Sequence, residues 1–270
     1  MSDKMNIVVC IKKIPDPEIP PAKFKLDTEA KRVLPPEGIP PVINPYDEQA
    51  VELALRIKEK SGGKVIGLTI DDEASPTVVK HALSMGADEG YVLTDATFLG
   101  SDSLSIAYIL AQAIKKIGDV DLVLCGRQAA DWDDGVVGSL LAETLKYPLV
   151  TLASSIEVSG ETLKVSRVLL DGYQEFAVPK PAVVTVSSEV GKSRLPSGWG
   201  IISASRKEVP VWDASAIDAD PIRIGGGAAR KELVKLYVPA RERQCEIIEG
   251  ETIVEAAEKL AEKLLKTGLI

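Results

Sequence analysis

Apolar positions along this chain switch between two periods for about 150 residues. Asn6–Ile11 (NIVVCI) is a nearly unbroken apolar run rich in β-branched side chains, the pattern of a strand buried on both faces. Lys64–Ile70 (KVIGLTI), Gly90–Thr94 (GYVLT) and Asp121–Cys125 (DLVLC) repeat it. Helical stretches separate them. Asn44-Pro45-Tyr46-Asp47 predicts a helix start, with Asn44 as cap, Pro45 at the first helical position and Asp47 in the first turn. Ala50, Leu53, Ala54 and Ile57 then share a face until Gly62-Gly63 ends it. Ser75-Pro76 opens a second helix, with Val79, Ala82 and Leu83 inward and Gly86 as its stop. Ser101–Ile117 carries Ile106, Leu110, Ala113 and Ile117 in step, and a fourth helix runs to about Leu145. The alternation predicts an α/β fold with a doubly wound, mainly parallel sheet and helices on both faces.

The pattern then changes. Ser155–Val158 and Thr162–Leu170 alternate around Ser159-Gly160, which predicts a hairpin that Phe176–Val178 and Ala182–Val186 extend. Residues 190–236 read as loop-rich, with Gly225–Gly227 a flexible loop. Thr252 and Glu255 form a capping box before a terminal helix striped by Ile253, Ala257, Leu260 and Leu264. Pro15–Pro41 holds eight prolines and no period, so it reads as an ordered excursion with at most a small hairpin. The expected organisation is an α/β domain over 1–189 and an arm over 190–270.

Composition narrows the chemistry. A net charge of −8 and an aromatic share of 4% argue against a nucleic-acid coat or an anionic membrane surface. The one histidine, His81, rules out zinc sites built on several histidines. Cys10, Cys125 and Cys245 are too few and too scattered for a disulfide framework, which suits a reducing compartment. No cleavable leader and no apolar run of about 20 residues stands out, so a cytoplasmic protein that is not membrane-embedded is expected.

Ligands of open parallel sheets sit beyond the carboxyl ends of the strands. The most informative such end is Cys125-Gly126-Arg127-Gln128-Ala129-Ala130-Asp131-Trp132-Asp133-Asp134-Gly135-Val136-Val137-Gly138, which leads from a strand into a helix. Its glycines admit close approach of an anion, a helix N-terminus favours negative charge, and Arg127 adds a cation. The alternative is a loop whose glycines serve only tight turns. Three aspartates beside a phosphate would repel it, so one of Asp131, Asp133 and Asp134 is expected to cap the helix instead. No Ser-His-Asp set stands out around the single histidine, and no paired-carboxylate catalytic signature stands out along the chain. A nucleotide-binding α/β protein without acid–base machinery suggests electron transfer, carriage or sensing.

Five ordered segments resemble the β subunit of electron transfer flavoprotein. They are Cys10-Ile11-Lys12-Lys13-Ile14-Pro15-Asp16, Asn44–Glu52, Ala82-Leu83-Ser84-Met85-Gly86-Ala87-Asp88, Gly126–Asp131, and Arg167 with Asp171-Gly172 and Pro181–Thr185. The resemblance implies a Rossmann-like fold and a heterodimer with an α subunit that holds FAD at the interface. It implies AMP as a structural nucleotide in this chain or, in a subset of the family, a second FAD that supports electron bifurcation with NADH. The implied nucleotide site is Cys10 (backbone), Asn44, Pro45, Tyr46, Asp47, Ile70 and Gly126–Val137. The implied partners are an acyl-CoA dehydrogenase-type flavoenzyme as donor and a membrane quinone reductase as acceptor. Asp134-Gly135-Val136-Val137-Gly138 lacks the side-chain amide and hydroxyl of AMP-binding relatives and the T-A-Q of bifurcating ones, so AMP and a non-bifurcating carrier are the expectation. In the partner loop, Ser193–Ala204, glycine stands where relatives carry an anchoring leucine, and Leu195 or Trp199 is the candidate anchor. A stand-alone adenine-nucleotide-binding regulator of the stress type is the other class, and the long tail argues against it.

Overall fold

The computed structural model describes residues 4–239 and 245–269. It divides into a large unit, Met1–Val234, and a small one, Lys235–Ile270. In the large unit β1 (Met5–Cys10) is followed by an excursion with two short hairpin-like pairings, β2 (Lys13–Ile14) with β5 (Val42–Ile43) and β3 (Lys25–Asp27) with β4 (Arg32–Leu34). Then come α1 (Pro45–Ser61), β6 (Gly63–Ile70), α2 (Thr77–Met85), β7 (Glu89–Leu93), α3 (Ser103–Ile117), β8 (Leu122–Gly126) and α4 (Val137–Leu145). The chain continues through β9 (Leu149–Ser159), β10 (Thr162–Leu169), β11 (Gly172–Pro179), β12 (Ala182–Val186), α5 (Gly198–Arg206) and β13 (Val211–Trp212).

Nine strands form one sheet in the order β11-β10-β9-β12-β8-β1-β6-β7-β13. The central strand β1 pairs in parallel with β6 and β8, so Val8 lies beside both Ile66 and Val123. Its side chains alternate between two cores: Ile7 and Val9 pack with α1 and α2, while Val8 and Cys10 pack with α3 and α4. Burial on both faces is why these strands read as continuous apolar runs. Winding reverses between β1 and β8, which opens a crevice beyond their carboxyl ends.

The hairpin expectation needs one correction. β9, β10 and β11 form the antiparallel ribbon, but β12 does not extend it. Ala182–Val186 is wholly buried and runs parallel to both β8 and β9. An alternating strand can cover one face only; a strand apolar on both sides belongs inside the sheet.

Residues 190–236 are also more ordered than their composition predicts. Ser197 Oγ accepts the Gly200 amide at 3.0 Å and starts α5. Gly200 disguises the helix, yet α5 requires it, because a Cβ there would lie 2.2 Å from the Ser84 carbonyl oxygen of α2. β13 adds in parallel to β7 at the sheet edge. Gly225, expected in a flexible loop, donates to Ser101 Oγ at 2.8 Å and leaves no room for a Cβ, which would sit 2.5 Å from the Thr97 carbonyl.

In the small unit, α6 (Ile253–Lys266) follows Thr252, whose Oγ1 accepts the Glu255 amide at 3.2 Å. No side chain of α6 is buried. Among the described residues, no helix is long and apolar enough to cross a membrane.

Candidate nucleotide site

The crevice is assembled by two side chains from the start of α1. Asp47 is buried, and its two oxygens accept the Lys12 amide at 2.8 Å and the Gly126 amide at 2.9 Å. It thus joins the end of β1 to the end of β8. Burial pushes its pKa from 3.8 up to about 6, against the hydrogen bonds that hold it down. Asn44 is equally buried. Its Nδ2 donates to the Gln128 carbonyl at 2.8 Å, and its Oδ1 accepts the Ala130 amide at 3.1 Å. Asn44 occupies the cap position of α1, but its side chain makes no cap bond. The expected cap role is therefore corrected: the side chain is spent on the loop after β8, and the polar groups of that loop outcompete the helix end.

Glycines admit this close assembly. A Cβ on Gly126 would lie 2.5 Å from Asp47 Oδ1 and 2.7 Å from Tyr46 Cβ. On Gly138 it would lie 2.5 Å from Thr185 Cγ2. These glycines set packing between elements as well as turning the loop. Asp133 and Gly135, at φ of 52° and 62°, reverse the chain in the left-handed region.

No aspartate caps α4. Its cap residue is Val136, without a side-chain bond, so the expectation of an aspartate cap is overturned. Each aspartate has another partner. Asp131 pairs with Lys12 Nζ at 2.6 Å, Asp133 accepts Gln128 Nε2 at 2.7 Å, and Asp134 accepts Ser103 Oγ at 2.5 Å and Lys231 Nζ at 3.0 Å. The first-turn amides of α4 thus have no capping side chain, the arrangement that can receive an anion.

The remaining site residues fall around this frame. Cys10 and Cys125 are adjacent and buried; the Cys125 thiol and burial both push the Cys10 thiol well above its ordinary pKa, so both serve packing. Ile70 ends β6 half-buried, and Pro45 begins α1. The Arg127 guanidinium lies 5.0 Å from the Tyr46 ring centroid, and its buried Nε has no hydrogen-bond partner. Ala129 accepts the Asp133 amide at 2.8 Å, and Trp132 stands exposed at the loop tip. The structure thus brings the ends of β1 and β8, the start of α1 and the 126–137 loop to one crevice. The donor set, amides with one unsatisfied Arg127 nitrogen and an uncapped helix start, fits a nucleotide phosphate. Leu195, just before α5, and Trp199, in its first turn, are 90% and 82% exposed. The base of that segment is fixed by Arg194, which bonds Glu52 at 2.7 Å and also pairs with Glu59.

Four supporting side chains were given no role by sequence reasoning. Lys12 and Lys13 look like a solvated pair, but they diverge: Lys12 reaches Asp131 and Lys13 reaches Asp71 at 2.7 Å. Their position at a strand end was the available signal. Ser103 and Lys231 carry no local signal, since 97 residues separate Lys231 from Asp134.

Residues 33–217 match the electron transfer flavoprotein domain. The chain belongs to the electron transfer flavoprotein β-subunit/FixA family. It is 39% identical to the electron transfer flavoprotein subunit beta of Thermoanaerobacterium thermosaccharolyticum over 96% of this chain and 98% of that protein. Identity is 35% to the caffeyl-CoA reductase-Etf complex subunit CarD of Acetobacterium woodii, over 98% of this chain and all of that protein. With protein FixA of Azotobacter vinelandii it is 32%, over 91% and 89%. Both the family and the Rossmann-like α/β fold expected from the sequence are thereby established.

Proposed function

We propose that this chain is the β subunit of a heterodimeric electron transfer flavoprotein, that it holds AMP in the crevice, and that it carries electrons without catalysing a reaction of its own. The observation that carries the nucleotide assignment is the uncapped start of α4, held open beside the loop that Asn44 and Asp47 tie to α1. Adenine is assigned to the floor near Cys10 and Ile70, and phosphate to the amides of 135–138. A nucleotide there would crosslink β1, α1 and α4, which is a structural role.

The α subunit contributes FAD, which when bound supplies the redox chemistry. This chain's residues shape the docking surfaces around it. Trp199 and Leu195 are proposed as contacts for the donor, a flavoenzyme of the acyl-CoA dehydrogenase type, with a membrane quinone reductase as acceptor. Arg194 and Gly200 hold their segment against α1 and α2, so the contact is preorganised. Relatives named for caffeyl-CoA and acryloyl-CoA reductase complexes support a partner acting on CoA thioesters. The segment 190–270 is proposed as the partner-recognition arm.

A second reading has one observation in its favour. Trp132 and its neighbours at the loop tip are exposed, which leaves the mouth open to a longer dinucleotide. That would be a second FAD, with NADH as donor. Acid extraction of the co-expressed heterodimer separates the two: one FAD and one AMP per pair supports the carrier, and two FAD without AMP supports the bifurcating reading.

A further inference from the structure

The 126–137 loop presents a chemical contradiction. A phosphate seat should be electropositive, yet four residues, Asp131–Asp134, include three carboxylates. The structure shows how each is answered. Two of the answers are local to the crevice, Lys12 on Asp131 and Gln128 on Asp133. The third comes from far along the chain. After β13 the backbone crosses α3 as a strap. Asp220 N donates to Tyr108 Oη at 2.9 Å, Gly225 N to Ser101 Oγ at 2.8 Å, Gly226 N to the Leu99 carbonyl at 3.0 Å and Arg230 N to Asp102 Oδ2 at 2.7 Å. The next residue is Lys231. Its Nζ lies 3.0 and 3.3 Å from the two oxygens of Asp134, whose Oδ2 also accepts Ser103 Oγ.

We propose that Lys231 is a positioning residue for the nucleotide site: it turns Asp134 onto α3 and masks its charge, so that the start of α4 can receive a phosphate. The proposal rests on the assignment of that loop to a nucleotide. Its content is that a strap some hundred residues downstream completes the site by electrostatics, without touching the ligand. Ser103 and Lys231 together keep the Asp134 carboxyl below its ordinary pKa, so the masked group is an anion at neutral pH and its neutralisation matters. Lys231 is a mostly exposed partner, so its worth to stability is small and its worth to a nearby anion is larger.

The test is a titration of the nucleotide-depleted heterodimer with AMP by calorimetry at low salt. Lys231→Met frees one carboxylate beside the seat, and AMP affinity is expected to fall about three- to tenfold. In 0.5 M salt the loss should shrink, because exposed charges are screened over a few ångströms. Lys231→Arg should retain affinity. The deciding variant is the double substitution Lys231→Met with Asp134→Asn, which removes the anion with its mask and should restore AMP binding. Thermal unfolding without nucleotide checks that the variants remain folded. An unchanged affinity in Lys231→Met overturns the proposal. So does a loss that the double variant fails to repair, which would make Lys231 a direct ligand or a plain tether. Failure of the unsubstituted heterodimer to bind AMP is a separate outcome, and it overturns the nucleotide assignment itself.

Discussion

Asp47→Asn perturbs the joint on which the crevice depends, and its consequences follow from two bonds and one pKa. The buried carboxylate accepts from both Lys12 N and Gly126 N, while burial raises its pKa from 3.8 to about 6. Between those values the folded chain holds a proton that the unfolded chain has released. The stabilisation this proton gives is complete below about pH 4 and gone above about pH 6. At 1.36 kcal/mol per pKa unit it amounts to about 3 kcal/mol. Asparagine does not titrate, so the variant lacks this pH dependence. At pH 7.5 the substitution also removes the cost of burying a charge, about 3 kcal/mol. Against that, its amide NH2 must face one of the two backbone N–H groups, which costs about 1–3 kcal/mol. The two nearly offset, and the variant should lie within about 2 kcal/mol of the parent at pH 7.5. Relative to the parent it should gain about 3 kcal/mol between pH 4 and pH 7. Urea unfolding followed by fluorescence across that range, at low protein concentration because the pI is near 5.0, reads the difference directly. A difference that stays flat with pH would refute the account of Asp47 as a buried, proton-holding joint.

Other predictions concern separate parts of the frame. Asn44→Ala orphans the Gln128 carbonyl and the Ala130 amide; it should cost about 1–3 kcal/mol in urea unfolding and weaken nucleotide binding in parallel. Gly200→Ala drives a Cβ into the Ser84 carbonyl and should cost about 1–3 kcal/mol, with α5 protected less against amide exchange. Trp199→Ala should leave Tm nearly unchanged, since the ring is exposed, while slowing electron transfer from the donor flavoenzyme; equal rates with every candidate donor would remove Trp199 as an anchor.

Strands β1, β6, β7 and β8 were legible because burial on both faces leaves an unbroken apolar run, and the helices between them because Gly62, Gly86 and their starts punctuate a 3.6 period. β12 was legible as a strand but not in its place. Residues 182–186 follow a hairpin closely in sequence, and only their two-sided apolarity marks them as interior. α5 was hidden because Gly198 and Gly200 lower helix propensity, and the reason for Gly200 lies on another helix. The loop after β8 was singled out from its place at a strand end, and Asn44–Asp47 and Ile70 from the family resemblance, whereas the duties of the polar side chains could not be read. Asn44 and one of the three loop aspartates were assigned to the nearest helix start, the local choice for such residues. Their actual partners are long-range: Gln128 and Ala130 for Asn44, Lys12 for Asp131, and Ser103 with Lys231 for Asp134.

The central claim is that the ends of β1 and β8, the start of α1 and the start of α4 enclose one nucleotide. Its most direct test is a crystal structure of the heterodimer purified with its endogenous nucleotide. The account predicts density for AMP, with adenine against Cys10 and Ile70 and phosphate at the amides of residues 135–138. Density for a nucleotide elsewhere on this chain, or an empty crevice in a heterodimer that transfers electrons at full rate, would contradict it.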